Sequence, residues 1–389
     1  MMRSFEREHI EEKEQNDFAV ALYGQLLQRP GNLFFSPFSI RTAVVMAYAG
    51  ARGETAVQMR RALRVGSSDE GLHAAFAEII HRLSAAGEYE MAVANSLWAA
   101  QDGAPLQTEF LDLVARHYGG GMNTADFRCG ADAARVRINR WVEERTKERI
   151  RGVIPPGMLD ADTRLVLVNA VYFKGMWAPQ FPEAATRDKP FYLEGDRKVL
   201  TPLMHGQQEV GYLQADGYQA VKLDYRGGDL SMLVLLPDKT DGLRELETRL
   251  SGSMLHDCVA NMLWRKVRLF LPRFRLTWGV VEMGAYLCEL GMPLAFTRFQ
   301  ADFSGINGHR PPHEDSLFIS AICHKAFVEV NEKGTEAAAV TGGRWVRLGR
   351  PEQPIPIFQA DHPFLFAIRD GKSGAILFLG RMADPTRES

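Results

Sequence analysis

The residues of this chain that could carry enzyme chemistry do not stand in working arrangements. Gly371-Lys372-Ser373 has the lysine and hydroxyl of a phosphate-binding loop, but position 366, where that motif needs a second glycine, is Phe. His309 and His313 have the i,i+4 spacing of a helical metal pair, yet Arg310-Pro311-Pro312 between them forbids a helix, so no metal site is expected there. The four cysteines, Cys129, Cys258, Cys288 and Cys323, are far apart and form no C-x-x-C; free thiols are expected, with no disulfide framework and no zinc site. No Gly-x-Ser-x-Gly elbow offers a hydrolase nucleophile. The expectation is a protein that is not an enzyme and needs no cofactor.

What remains is chemistry of the backbone. Asn331-Glu332-Lys333-Gly334-Thr335-Glu336-Ala337-Ala338-Ala339-Val340-Thr341-Gly342-Gly343 is built almost wholly of small side chains, and no proline occurs from Glu332 to Gly349. Propensity alone makes Thr335 to Thr341 a short helix stopped by Gly342. The same residues can also lie in a loop and later fit between two β-strands, because alternate side chains of a strand face opposite sides and none here is bulky.

Two such different outcomes turn on the rest of the chain. With 389 residues, 46% of them hydrophobic, it can bury a sizeable core. It shows no linker, repeat or low-complexity tract, so a single domain over 16–389 is expected, preceded by a charged and frayed arm at 1–15. A formal charge of −2 argues against nucleic acid as a partner. The basic cluster at Arg145 to Arg151 is interleaved with acids and reads as a solvated helix face, with a weak polyanion site as the alternative. No run approaches the ~20 apolar residues of a membrane span. Nothing at the start has the apolar core of a signal peptide, which suits an intracellular protein or a mature form without its leader.

Helices are predicted from Asn16, as a cap, to Gln28, from Ser36-Pro37 to Ala49, and near 54–64, 70–86, 106–118 and 131–148. Strands are predicted at Leu33 to Phe35, 90–99, 164–177, 208–224, 229–236, 266–276, 317–331, and on either side of Asp370 to Gly374. Helices early and sheets later make an α+β pattern.

Five segments of this framework stand out. They are Asn32-Leu33-Phe34-Phe35-Ser36-Pro37-Phe38-Ser39-Ile40, Leu167 to Trp177, His324-Lys325-Ala326-Phe327 with the small-residue stretch after it, Asp361 to Phe366, and Phe378-Leu379-Gly380-Arg381. In type and order they resemble the signatures of the serpins, the family of suicide protease inhibitors, from about Phe18 to Pro385. The resemblance implies a serpin fold, with helices packed around three β-sheets and an exposed reactive-centre loop at about 333–357. It implies a polar latch under the central sheet at Ser36, Ser39, Asn169 and His324. It puts Trp177 where the loop would first insert, with Arg273 as basic partner of Glu332; as an exposed pair these two would contribute only about 0–1 kcal/mol.

The hinge would comprise Glu332, Gly334, Thr335, Glu336, Ala337, Ala338, Ala339, Val340 and Thr341. Thr335, Ala337, Ala339 and Thr341 would face inward, and Glu336, Ala338, Val340 and Gly342 outward. Family spacing puts Leu348 before the scissile bond and Gly349 after it, with Arg347 and Arg350 as alternatives. Leu348 suits a chymotrypsin-like or elastase-like pocket, the arginines a trypsin-like one. The implied partner is a serine protease, trapped as an acyl-enzyme by a monomeric inhibitor in the extracellular space. A cysteine protease as target, or a non-inhibitory serpin acting as a binding or chaperone module, are the alternatives.

Overall fold

Ser36-Pro37 starts the helix around which the fold is organised. In this computed structural model, which describes residues 2–85, 88–101, 105–195, 197–334 and 354–388, the Ser36 side chain caps α2 (Pro37–Tyr48) by accepting from the Ser39 amide, and Pro37 occupies the first turn. Every residue of α2 is buried. A helix buried on all sides has to lie between layers, and α2 packs against strands of both sheets.

The helix before it, α1, runs from Met2 to Leu26 without a break, so Asn16 is not a cap, and Glu14 and Gln15, expected in the arm, are buried. The physical reason is tertiary. The Asn16 amide donates to Gly374 O (3.2 Å) and accepts from the Ile376 amide (2.9 Å), while Glu14 pairs with the buried Arg41 (3.4 Å). The other main helices, α3 (Gly53–Ala62), α4 (Asp69–Ala85), α5 (Thr108–Tyr118) and α6 (Ala131–Arg145), lie close to their predicted positions.

In chain order the strands are β1 (Leu33–Phe35), β2 (Tyr89–Ala100), β3 (Met122–Ala125), β4 (Leu165–Gly175), β5 (Arg187–Tyr192), β6 (Lys198–Ala215), β7 (Tyr218–Asp224), β8 (Leu230–Pro237), β9 (Leu263–Pro272), β10 (Phe274–Glu282), β11 (Ile319–Val330), β12 (Ile357–Gln359), β13 (Phe364–Asp370) and β14 (Ile376–Met382). Among the described residues they form two hydrogen-bonded sheets where three are expected. One is nine-stranded, in the order β1-β14-β13-β8-β7-β6-β9-β12 with β5 on β6; the other is five-stranded, in the order β10-β11-β4-β2-β3. The 18-residue β6 joins what would be two sheets, since one end pairs with β5 and the other with β7. The predicted strand at 208–224 is the β6–β7 hairpin, turning at Asp216-Gly217 where Gly217 has φ +82°. The strand predicted at 266–276 is two strands meeting at Arg273.

The five-stranded sheet has a core on each face. Leu165, Leu167, Val171 and Phe173 of β4 point toward α2 and the larger sheet. Val166, Val168, Ala170 and Tyr172 point the other way, under Ile138 and Val142 of α6. That double burial explains the continuous apolar run of β4. Its neighbour β11 is parallel to it, from Ile319↔Leu165 to Val328↔Phe173.

Candidate functional site: the seam between β4 and β11

A polar row crosses the five-stranded sheet at one register. His324 of β11 lies opposite Asn169 of β4, and Asn169 lies opposite Asn95 of β2. These side chains share the face that looks onto the start of α2. His324 Nδ1 meets Asn169 Oδ1 in a short hydrogen bond, and Asn169 Nδ2 donates to Asn95 Oδ1 and to Ser39 Oγ. Ser39 Oγ donates in turn to Asn95 Oδ1 at 2.8 Å. The Ser36 amide donates to His324 Nε2 at 3.2 Å, and Ser36 Oγ donates to Leu377 O of β14 at 2.7 Å.

These partners fix the protonation of His324. Nε2 accepts, so Nδ1 carries the hydrogen and donates to Asn169, and the ring is neutral. Burial, complete for His324, pushes its pKa from 6.5 down to about 3. The sequence-predicted latch of Ser36, Ser39, Asn169 and His324 is thus a single connected network. Asn95 is a fifth member that sequence reasoning missed; an asparagine inside a strand of mostly apolar residues was the available signal.

At the upper end of the seam the chain leaves β11 through a tight turn, Asn331 to Gly334, closed by reciprocal backbone bonds of 3.2 and 3.1 Å. The turn sits on the end of β4. The Trp177 amide donates to Lys333 O (3.1 Å), the Phe181 amide to Glu332 O (2.9 Å), and Trp177 Nε1 to Asn331 O (2.9 Å). Trp177 itself is buried and stacks on Tyr225 at 4.6 Å. Only glycine serves at 334. Its φ is +95°, and a Cβ there would strike Gly175 O, the Trp177 amide and, at 2.6 Å, Met176 Cα.

Glu332 and Arg273 pair as expected, but not at the surface. The Glu332 side chain is 5% exposed against 44% for Arg273. Arg273 Nε reaches both carboxylate oxygens at 2.7 Å, and Thr186 Oγ1 donates a short bond to Oε1. Burial by itself would raise the Glu332 pKa; the bonds from Arg273 and Thr186 outweigh it and hold the carboxyl below its ordinary value. Thr186, in a stretch with no predicted element, had no sequence signal. Of the remaining predicted site residues, Thr335, Glu336, Ala337, Ala338, Ala339, Val340, Thr341, Arg347, Leu348, Gly349 and Arg350 lie outside the described residues. The four cysteines are free; Cys258 and Cys323 are buried and Cys129 is exposed.

Two outcomes can be measured on the uncleaved protein. The folded pKa of His324 lies below its ordinary value, so between about 3 and 6.5 the unfolded chain holds more protons on this ring. The stability that neutral His324 contributes is complete above about pH 6.5 and lost as pH falls, by up to about 1.4 kcal/mol per pH unit. Melting temperatures should therefore fall more steeply on acidification in the wild type than in His324→Gln. His73, lowered to about 4 by burial and by His117, acts in the same sense, so the difference between the two proteins is the measure; equal slopes would refute the assignment. Arg273→Ala leaves a buried carboxylate and should cost about 1–3 kcal/mol, toward the lower end because Arg273 is half in water. A urea midpoint no lower than wild type would show that the pair does not hold the turn.

Comparison with known proteins gives one consistent answer. The family model described as serpin (serine protease inhibitor) matches residues 13–385. The human leukocyte elastase inhibitor is 37% identical over 379 residues, covering 95% of this chain and 97% of its own. An uncharacterized serpin-like protein of Thermococcus kodakarensis is 38% identical over 373 residues, covering 95% and 84%. Among solved structures, Arabidopsis AtSerpin1 in its native stressed conformation superposes with a TM-score of 0.86 at 30% identity, covering 97% of this chain and 99% of that one. Serpins are protease inhibitors rather than catalytic enzymes, and on this evidence of fold, seam and sequence the chain belongs to the serpin family.

Proposed function

We propose that this protein inhibits a serine protease as a suicide substrate, and that the segment beginning at Thr335 becomes a strand between β11 and β4 once the loop is cut. One observation carries the reading: β4 and β11 are parallel neighbours, and the chain leaves β11 by a turn pressed onto the end of β4, at the top of their seam. A segment that reverses there and descends the seam runs antiparallel to both strands.

The energetics favour that descent. It replaces one parallel ladder by two antiparallel ones, a net gain of one ladder. For a strand of about ten residues, at roughly 0.5–1.5 kcal/mol per bond, that is on the order of 10 kcal/mol. Insertion of a cleaved serpin loop is an established instance of strand addition. Against it stand the His324–Asn169 bond and the strap over the other face. There, Asn139 of α6 holds Ile154 by two bonds of 2.8 and 2.9 Å, and Lys325 Nζ of β11 donates to Arg151 O at 2.8 Å. The uncut molecule is then kinetically trapped. A protease acylated at the loop would be carried down the sheet as the strand inserts. Loss of a single oxyanion-hole donor in its distorted site costs ~10²–10³ in rate, enough to strand the acyl-enzyme.

Leu348 is the proposed residue before the cut, with Gly349 after it. The apolar side chain and the elastase-inhibitor names of relatives near 37% identity support a chymotrypsin-like or elastase-like target; Arg347 and Arg350 would direct the loop to trypsin-like enzymes. The inhibitor is proposed to act as a monomer.

Incubation with trypsin, chymotrypsin and elastase should yield a complex that survives boiling in detergent, and sequencing the released peptide identifies the bond. Cleavage without any such complex, together with an unchanged melt of the cut protein, would reject insertion. If insertion occurs, the cut form should melt higher by roughly 10 °C or more. Thr335→Arg should be cleaved at an undiminished rate yet form no stable complex, because an unpaired charge would have to enter the core. A persisting complex would move the hinge elsewhere.

A further inference from the structure

The two histidines whose helical pairing the prolines forbid are nonetheless brought together. Between the helical turn Ser304–Asn307 and β11, the His313 amide bonds Arg310 O at 3.1 Å, closing a turn with Pro311 and Pro312 at its centre. The His309 and His313 rings then stack, centroids 4.0 Å apart and planes 12° from parallel. Asp315 completes a group whose ligand atoms all lie within 4.8 Å of one another, with His313 Nδ1 3.9 Å from Asp315 Oδ2.

The loop around them is fixed by its own bonds. Asn307 Nδ2 donates to Asp315 O (2.8 Å), Asn307 Oδ1 accepts from the His309 amide (3.2 Å), and Ser316 Oγ donates to His313 O (2.7 Å). We propose that His309, His313 and Asp315 form a binding site for a divalent cation of the zinc class at the foot of β11.

The donor set selects the ion. Two imidazoles and one carboxylate suit Zn²⁺, Cu²⁺ or Ni²⁺, whereas Ca²⁺ and Mg²⁺ require mostly oxygen. Tetrahedral Zn²⁺ with bonds of about 2.0–2.2 Å places neighbouring ligand atoms a little over 3 Å apart, so the present spacing has to contract by less than 2 Å. Two adjustments achieve this. His313 Nδ1 now accepts from the Asp315 amide at 3.1 Å, and the ion takes that amide's place. Stacked rings hold their in-plane lone pairs in parallel planes, which do not meet at one ion, so the His309 ring rotates out of the stack to converge on it. The His313 side chain is 46% exposed, which leaves room for a water as fourth ligand. Arg310 lies within the turn and Glu314 beside Asp315; their charges offset.

The consequence is local bracing. The loop runs through Ser316 into Ile319, opposite Leu165 at the lower end of the seam, where Ser320 Oγ accepts from the Arg164 amide at 2.9 Å. An ion that binds the folded loop and not the unfolded chain stabilises the fold by mass action.

Isothermal titration of the full chain with ZnCl₂ at neutral pH tests the site. One ion per chain is expected, with affinity reduced at least roughly 10–100-fold in His313→Ala and in Asp315→Asn. Co²⁺ should give the weak visible bands of a nitrogen–oxygen tetrahedral site. Absence of stoichiometric binding would overturn the proposal, as would binding unchanged in the double variant His309→Ala/His313→Ala. So would a strong near-ultraviolet thiolate band, which would put the metal on a cysteine such as the exposed Cys129. Metal-free melting curves that match wild type show that the variants fold, and the cobalt spectrum of the wild type stands apart from any variant.

Discussion

A side-chain hydrogen bond, from His324 Nδ1 to Asn169 Oδ1, ties β4 to β11 at one register of their backbone ladder. Apolar burial cannot do that work. It is non-directional, and β4 and β11 have both faces covered by the layers above and below them, whatever lies between them in the sheet. Insertion of a strand would leave most of that burial intact. What is specific to the pairing of β4 with β11, beside its backbone ladder, is a polar pair that requires these two side chains at one register. In a buried site such a pair is strong when made and expensive when broken. The pairing of β4 with β11 thus rests on directional bonds, the backbone ladder and this polar pair, which apolar burial alone does not specify.

The same logic explains why the polar row is a network and not a lone pair. Asn169 has one acceptor and two donor hydrogens to satisfy. His324 takes the first, and Asn95 and Ser39 take the others. Ser36 then holds the far nitrogen of the imidazole through its backbone amide, and its hydroxyl ties the cluster to β14. The start of α2 therefore fixes this polar row, and α2 is in turn fixed by being buried between the sheets. A residue at the centre of the smaller sheet is bound, through one helix cap, to the carboxy-terminal hairpin of the larger one.

How much of this was legible in the sequence depended on how local its causes are. The Ser36-Pro37 cap, the apolar run of β4 and the order of the main helices follow from neighbours in the chain, and they stand where predicted. Asn16 was misread because a polar residue before an apolar stripe looks like a cap. Its amide instead serves Gly374 and Ile376, more than three hundred residues away in sequence. β5 was missed because Arg187-Asp188-Lys189-Pro190 reads as a loop; it is an edge strand, where proline and charge are tolerated. Glu332 looked like a surface charge until the turn at Asn331–Gly334 folded it inward. His309 and His313 were dismissed on helix geometry, yet a turn brings them as close as a helix would. In each case the deciding partner was set by tertiary structure or by a turn.

The top of the seam shows why a charged pair is useful where an apolar contact would be simpler. A buried ion pair seldom adds stability over a well-packed hydrophobic substitute, but it is particular about geometry. Here both carboxylate oxygens of Glu332 are held by Arg273, and Thr186 adds a third direction. Next to it the backbone of Lys333 and Glu332 is hydrogen-bonded to Trp177 and Phe181, and Gly334 touches the end of β4 too closely for any side chain. The last described residue before the small-residue stretch is therefore fixed in position and direction. Whatever follows Gly334 departs from one defined point above the seam. A loose, hydrophobic exit would leave that point undefined, and a strand of such small side chains would have little else to set its register. For the insertion proposed above, an origin fixed by directional bonds would supply the register that three identical side chains, Ala337, Ala338 and Ala339, cannot.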